Sequence, residues 1–163
     1  MTVVHLPYTR SCFVCGADNP AGLRLRFRVE DGAILSDYIP RAEHAGYTGI
    51  VHGGVVAAAL DEVMFWAASF ARRRFHLSVE MQVRWVQKAR VGATYRLRGE
   101  VGRVQRSLCL ARSILQDENG RVCAEAEGKY FALRPHEVPL DAAEFCFDPV
   151  TLTPRELFGV VET

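Results

Sequence analysis

Gly49-Ile-Val-His52-Gly53-Gly54-Val-Val-Ala-Ala-Ala-Leu-Asp61-Glu62-Val-Met64-Phe65-Trp66-Ala-Ala-Ser-Phe-Ala-Arg72 is the stretch on which the fold turns. From Val55 to Ala71 its only ionisable residues are Asp61 and Glu62. A helix that is apolar nearly all round belongs in a core. Its length approaches that of a membrane span, but two adjacent acids at mid-helix would each cost about 2.5–3.5 kcal/mol in a bilayer, which argues against that reading. A carboxylate in a buried helix is expensive unless it is paired or used. Asp61 is therefore the first candidate for chemistry. Glu62, turned about 100° around the helix, is the second.

Gly53 and Gly54 sit where the helix leaves its first N–H groups unpaired and where a ligand can approach the backbone closely. Such an end suits a polarised carbonyl oxygen or an anion. At about 1.5 Å per residue, Asp61 lies about 12 Å along the axis from Gly53. One helix cannot bring both groups to one carbon; two antiparallel copies related by a two-fold axis can. The expectation is a dimer with two shared sites.

His52-Gly53-Gly54, six residues, then Asp61 resembles the helix motif of the hot dog-fold acyl-CoA thioesterases, in their phenylacetic-acid-degradation (PaaI-like) branch. Two further segments carry the resemblance: Cys12-Phe-Val-Cys-Gly-Ala-Asp-Asn-Pro-Ala-Gly-Leu23, and Leu77-Ser-Val-Glu-Met-Gln-Val-Arg-Trp85 followed by Gly92. It spans about residues 12 to 133. It implies an α+β hot dog fold, a curved antiparallel sheet wrapped around one long central helix. It also implies hydrolysis of an acyl-coenzyme A thioester at a site shared by two protomers. Asp61 is then general base or nucleophile, and the Gly53 N–H, helped by Gly54, polarises the carbonyl. His52 orients the loop or bonds near the thioester, and Ser78 holds the attacking water. Met64, Phe65, Trp66 and Trp85 are candidates for the acyl pocket, and Arg72 to Arg74 read as a solvated helix end. Coenzyme A enters as part of the substrate; no metal or other cofactor is expected. The alternative on the same fold is a non-catalytic acyl or acyl-CoA binding protein. A hydratase is disfavoured because no Asp and His stand at the short spacing of the hot dog hydratases. One departure stands out. Related enzymes often carry Asn or Gln in the loop before the helix motif, whereas this loop reads Glu43-His44-Ala45-Gly46-Tyr47, leaving His44 or Tyr47 to substitute.

The remaining chain agrees with one domain across 163 residues, residues 1–22 forming an irregular lead-in and 134–163 a tail with a short helix. Net charge is +1, so no bulk attraction to nucleic acid or membrane is expected. The start lacks a basic, then apolar, secretion pattern, and five cysteines then suggest free thiols in the cytoplasm. Cys12-x-x-Cys15, with His5 as a third ligand, falls short of a four-ligand zinc site, so packing is the expected role. Leu23, Leu25, Phe27 and Val29 alternate with charged residues as a half-buried strand does, and Asp31-Gly32 turns it into a second, Ala33–Ile39. After the helix, Val79, Met81, Val83 and Trp85 should face one way and Ser78, Glu80, Gln82 and Arg84 the other. Residues 94–104, 107–116 and 121–133 give three more strands without intervening helices, hence an antiparallel sheet. Thr153-Pro-Arg-Glu156 reads as a capping box opening the short helix. Homodimers, with a dimer of dimers left open, are the expected assembly.

Overall fold

The structure, a computed structural model, describes residues 3–139, 141–146 and 151–158. In chain order its strands are β1 (Val4–His5), β2 (Tyr8–Thr9), β3 (Arg28–Glu30), β4 (Ala33–Tyr38), β5 (Ala45–Tyr47) and β6 (Ile50–Val51). Helix α1 (Gly53–Arg72) follows, then β7 (His76–Trp85), β8 (Tyr95–Gln105), β9 (Leu108–Asp117), β10 (Val122–Ala132), β11 (Phe145–Cys146) and helix α2 (Pro154–Phe158). Seven strands form one sheet in the order β1-β3-β4-β8-β9-β10-β7, each pair antiparallel. Helix α1 crosses it, touching β4, β7, β8, β9 and β10.

The helix is long and apolar enough to cross a bilayer by composition, yet its apolar side is spent on the sheet. Leu60, Val63, Met64 and Trp66 are buried against Leu97, Ala111, Leu115, Ala126 and Tyr130. The two layers approach closely at Gly99 of β8, where a Cβ would lie 2.7 Å from the Val63 carbonyl oxygen. A backbone atom cannot swing aside as a side-chain tip can. Gly99→Ala is therefore expected to force helix and sheet apart at a cost of about 1–3 kcal/mol. Urea unfolding should show a lower midpoint at an unchanged slope.

His52 caps α1 with its own ring: Nδ1 accepts the Gly54 N–H at 2.9 Å. The Asp117-Glu-Asn-Gly120 turn forms, with the Asp117 carboxylate accepting the N–H groups of Asn119 and Arg121 at 2.9 Å each. At α2 the Thr153 N–H donates to Glu156 Oε2 at 2.8 Å, and the Glu156 N–H returns to Thr153 Oγ1 at 3.3 Å.

Two expectations need correction. The strand read from Leu23 onward is hydrogen-bonded into the sheet only over Arg28–Glu30. The burial alternation survives, but Arg24 takes a left-handed conformation (φ 57°), and the N–H groups of Leu23 and Leu25 turn to Phe13 and Val14 instead. The lead-in is also less irregular than expected. Val4–His5 joins the sheet beside β3, and Tyr8–Thr9 pairs with Phe145–Cys146.

Candidate active site

Asp61 lies at mid-helix with its carboxyl at the wall of a cavity of about 260 Å³, in a ring that includes Cys12, Glu62, Phe65, Trp66 and Ser78. The Tyr130 hydroxyl donates to Asp61 Oδ1 at 2.7 Å and lies 3.2 Å from the Asp61 carbonyl oxygen. Asp61 makes no ion pair among the described residues. Burial pushes its carboxyl above the ordinary carboxylate range, and hydrogen bonds from Tyr130 and Ser78 oppose that rise. Burial and the neighbouring Asp61 charge push the Tyr130 hydroxyl up in turn, so it stays a proton donor.

Ser78 reaches this carboxylate because the strand breaks its own alternation. Along β7, Met81 pairs with Gly128 and Glu80 with Lys129, after which the register slips and Ser78 pairs with Tyr130. The bulge inserts Val79 and turns Ser78 from the face of Glu80, Gln82 and Arg84, where strict alternation puts it, toward the helix. Val79 is left exposed.

The other half of the motif sits elsewhere. A second cavity, about 610 Å³, opens at the start of α1 and is lined by Tyr47, His52, Gly53, Val56, Trp85 and Lys88, among others. The β5–β6 hairpin carries the chain into it, and the His52 N–H is held by the His44 carbonyl at 2.9 Å. His52 spends its ring on the Gly54 N–H. The Gly53 N–H has no acceptor among the described residues, which leaves it as the donor free to meet a ligand oxygen. Trp85 Nε1 donates to the Gly53 carbonyl oxygen at 3.2 Å, laying the indole across the mouth of the cavity.

Of the residues singled out from the sequence, Asp61, Ser78, Phe65 and Trp66 meet in the acid cavity, and His52, Gly53 and Trp85 in the helix-start cavity. Met64 is corrected: it is fully buried in the core and borders neither cavity. Arg72, Arg73 and Arg74 are exposed at the far end of α1 and line neither. His44 is ruled out as a stand-in for the missing loop amide. It is buried, its Nδ1 accepts the Arg41 N–H and lies 3.1 Å from the Tyr38 hydroxyl, and burial holds its pKa below the usual histidine value. Tyr47, exposed in the helix-start cavity, remains.

One participant escaped the sequence reading. Tyr130 follows Ala124, Ala126 and Gly128 on the core side of β10. A tyrosine on a core face needs a partner for its hydroxyl, which was the available signal. Glu62 turns toward Cys12 and Cys15 instead of solvent. Burial raises the Glu62 carboxyl to about 8. The Cys12 thiol is drawn down to about 6, first by its bond with Cys15, whose own thiol is pushed up.

Comparison with known proteins agrees with this architecture. The family model of the thioesterase superfamily matches residues 48–124. No curated protein matches the sequence. Among solved structures, a thioesterase superfamily protein superposes with a TM-score of 0.70 at 22% identity, covering 74% of this chain and 63% of that one, so this chain spans less than two thirds of that relative. The phenylacetic acid degradation-related protein of Ralstonia eutropha JMP134 follows at 0.61 and 24%, covering 71% of this chain and 92% of that one. A Streptococcus mutans UA159 protein solved bound to acetyl CoA gives 0.60 at 15%, with coverages of 64% and 83%. The chain has the hot dog fold of these structures, and its central segment, residues 48–124, matches the thioesterase superfamily model.

Proposed function

We propose that the protein is an acyl-CoA thioesterase of the phenylacetic-acid-degradation type, working as a homodimer with two shared sites. The observation that carries this reading is the placement of Asp61. A half-buried carboxylate without a cationic partner is held by a tyrosine hydroxyl in an aromatic-walled cavity, a full helix segment away from the unpaired Gly53 N–H. Among the described residues of one chain, Asp61 and the Gly53 N–H line separate cavities. A second copy completes both. The edge of the sheet supports that pairing: among the described residues β7 ends the strand order with one side unpaired, and Leu77, Val79 and Trp85 are exposed along it.

In the shared site the thioester carbonyl oxygen meets the Gly53 N–H of one protomer, where the helix dipole favours the developing negative charge. The ionised Asp61 of the other protomer takes a proton from water as the water adds to the carbonyl carbon, or adds to that carbon itself. The C–S bond then breaks and coenzyme A leaves as the thiolate; where Asp61 itself has added, water cleaves the resulting mixed anhydride to release the acid and restore the carboxylate. Phe65 and Trp66 flank the acyl group, and Ser78 helps to hold the water. The Streptococcus mutans neighbour, bound to acetyl CoA, supports coenzyme A thioesters as the ligand class.

The test is a thiol-release screen over short, medium, long and aromatic acyl-CoAs. Turnover with at least one class supports hydrolysis. Stabilisation by acyl-CoA without thiol release would instead establish a binding protein, the reading favoured by a loop that lacks an amide side chain.

Tyr130→Phe gives a pH-resolved check. Hydrolysis needs the ionised acid, so kcat/KM should fall as pH drops through the raised pKa of Asp61. The Tyr130 bond stabilises the charged form, and removing it should raise that pKa further. The acid limb should therefore move to higher pH. A role in packing alone would lower thermal stability and leave the limb in place.

A further inference from the structure

The cysteine pair of the N-terminal segment, treated from sequence as packing, borders the same cavity as Asp61. Cys12 Sγ, Cys15 Sγ and a Glu62 oxygen all lie within 4.8 Å of one another, and Cys12 Sγ is 4.0 Å from Glu62 Oε1. His5 has no place in the group. The turn that carries the thiols is built to aim sulfur inward. Cys12 Sγ accepts the N–H groups of Val14 at 3.2 Å and Cys15 at 3.5 Å, and the Gly16 N–H closes the turn on the Cys12 carbonyl at 2.9 Å. A Cβ at position 16 would fall 2.2 Å from that carbonyl oxygen, so only glycine fits. Backbone N–H groups directed at sulfur favour the thiolate, the form that ligates metal.

Glu62 supplies the other half of the argument. It makes no ion pair among the described residues, although it reaches into the protein beside a second acid. A carboxylate placed that way is costly without a counter-charge. Two thiolates and one carboxylate form a donor set suited to a borderline-soft cation. Metal–sulfur bonds of about 2.3 Å and a metal–oxygen bond of about 2.1 Å give tetrahedral edges of about 3.6–3.8 Å, close to the 4.0 Å between Cys12 Sγ and Glu62 Oε1, so a small inward shift of the remaining ligand atoms closes the set.

We propose that Cys12, Cys15 and Glu62 bind one thiophilic divalent cation of the zinc class, its fourth position open to the cavity that contains Asp61. Three protein ligands with one open position describe a site that exchanges its outer ligand, unlike a closed structural centre. Binding ties the N-terminal segment to the middle of α1 and neutralises the acid next to Asp61. The proposal stands independently of the thioesterase reading.

The test is a titration of reduced, chelator-stripped protein with Co2+, followed by Zn2+. One Co2+ per chain is expected, with tetrahedral ligand-field bands and a thiolate-to-cobalt charge-transfer band that Zn2+ abolishes. Cys12→Ser and Cys15→Ser should each lose most of the charge-transfer intensity. Glu62→Gln should keep that band and weaken Co2+ binding at least about tenfold, since losing even an outer-sphere partner costs that much. A wild-type protein without the band, or unchanged Co2+ affinity in Glu62→Gln, overturns the proposal. So does a Cys12–Cys15 disulfide that persists under reductant. If the cysteine variants fail to fold, the wild-type titration and Glu62→Gln still decide. Asp61→Asn should retain the cobalt spectrum, so the metal site and the hydrolytic reading can fail separately.

Discussion

Replacing Asp61 with Asn is expected to lower kcat/KM for acyl-CoA hydrolysis by about 10²–10⁴-fold, the range a positioned general base supplies. The substitution is nearly isosteric, and the amide oxygen can accept the Tyr130 O–H that now reaches Oδ1 at 2.7 Å. Fold and assembly should therefore survive, as circular dichroism and sedimentation would show. The cavity offers few replacements. His76 borders it, but its Nδ1 lies 2.9 Å from the Arg74 carbonyl and its Nε2 3.6 Å from Cys109 Sγ, both inside the protein. Glu62 turns toward the cysteine pair. If Asp61→Asn hydrolyses acyl-CoA at the wild-type rate, the chemistry does not pass through this carboxylate and the assignment of the site is lost.

The sequence made some of this visible and hid the rest for identifiable reasons. Helix α1 was legible to its first residue because local rules define it: an apolar run, a capping side chain and two glycines. Strands β8, β9 and β10 were legible because alternation and the Asp117–Gly120 turn are also local signals. The orientation of Ser78 was not, because a bulge reverses a strand's faces and depends on the register adopted with Tyr130 on a strand about fifty residues later. The Cys12–Glu62 approach joins segments 50 residues apart and leaves no periodic trace in either. The Leu23–Val29 alternation told the truth about burial while overstating the ladder, since period-two patterning reports which face is wet, not which N–H groups are bonded. In this chain the long helix and the long strands after it were readable and their long-range meetings were not, and the site is made of such meetings.

Mixing two inactive variants should restore activity, and this tests the shared site directly. Gly53→Pro removes the N–H assigned to the oxyanion while sparing the helix. Proline is favoured at the first helical position, and His52, at φ −61° and ψ 134°, already has the extended backbone a following proline requires. A Cβ there would approach the Trp85 indole nitrogen at 3.3 Å, and that half-exposed ring has room to yield. Losing one such donor should cost about 10²–10³-fold in kcat. Alone, Gly53→Pro and Asp61→Asn homodimers each carry two broken sites. In a heterodimer, one site combines both lesions, and the other pairs the intact Asp61 of the Gly53→Pro chain with the intact Gly53 of the Asp61→Asn chain. Random re-association of equal amounts makes half the dimers mixed, each with one working site of two, so thiol release should recover to about a quarter of wild type. If donor and acid instead met within one chain, every site in every dimer would keep a lesion and mixing would recover nothing. The helix itself argues for the first outcome, because Gly53 and Asp61 lie about 12 Å apart along one rigid axis and both must touch a single carbonyl group.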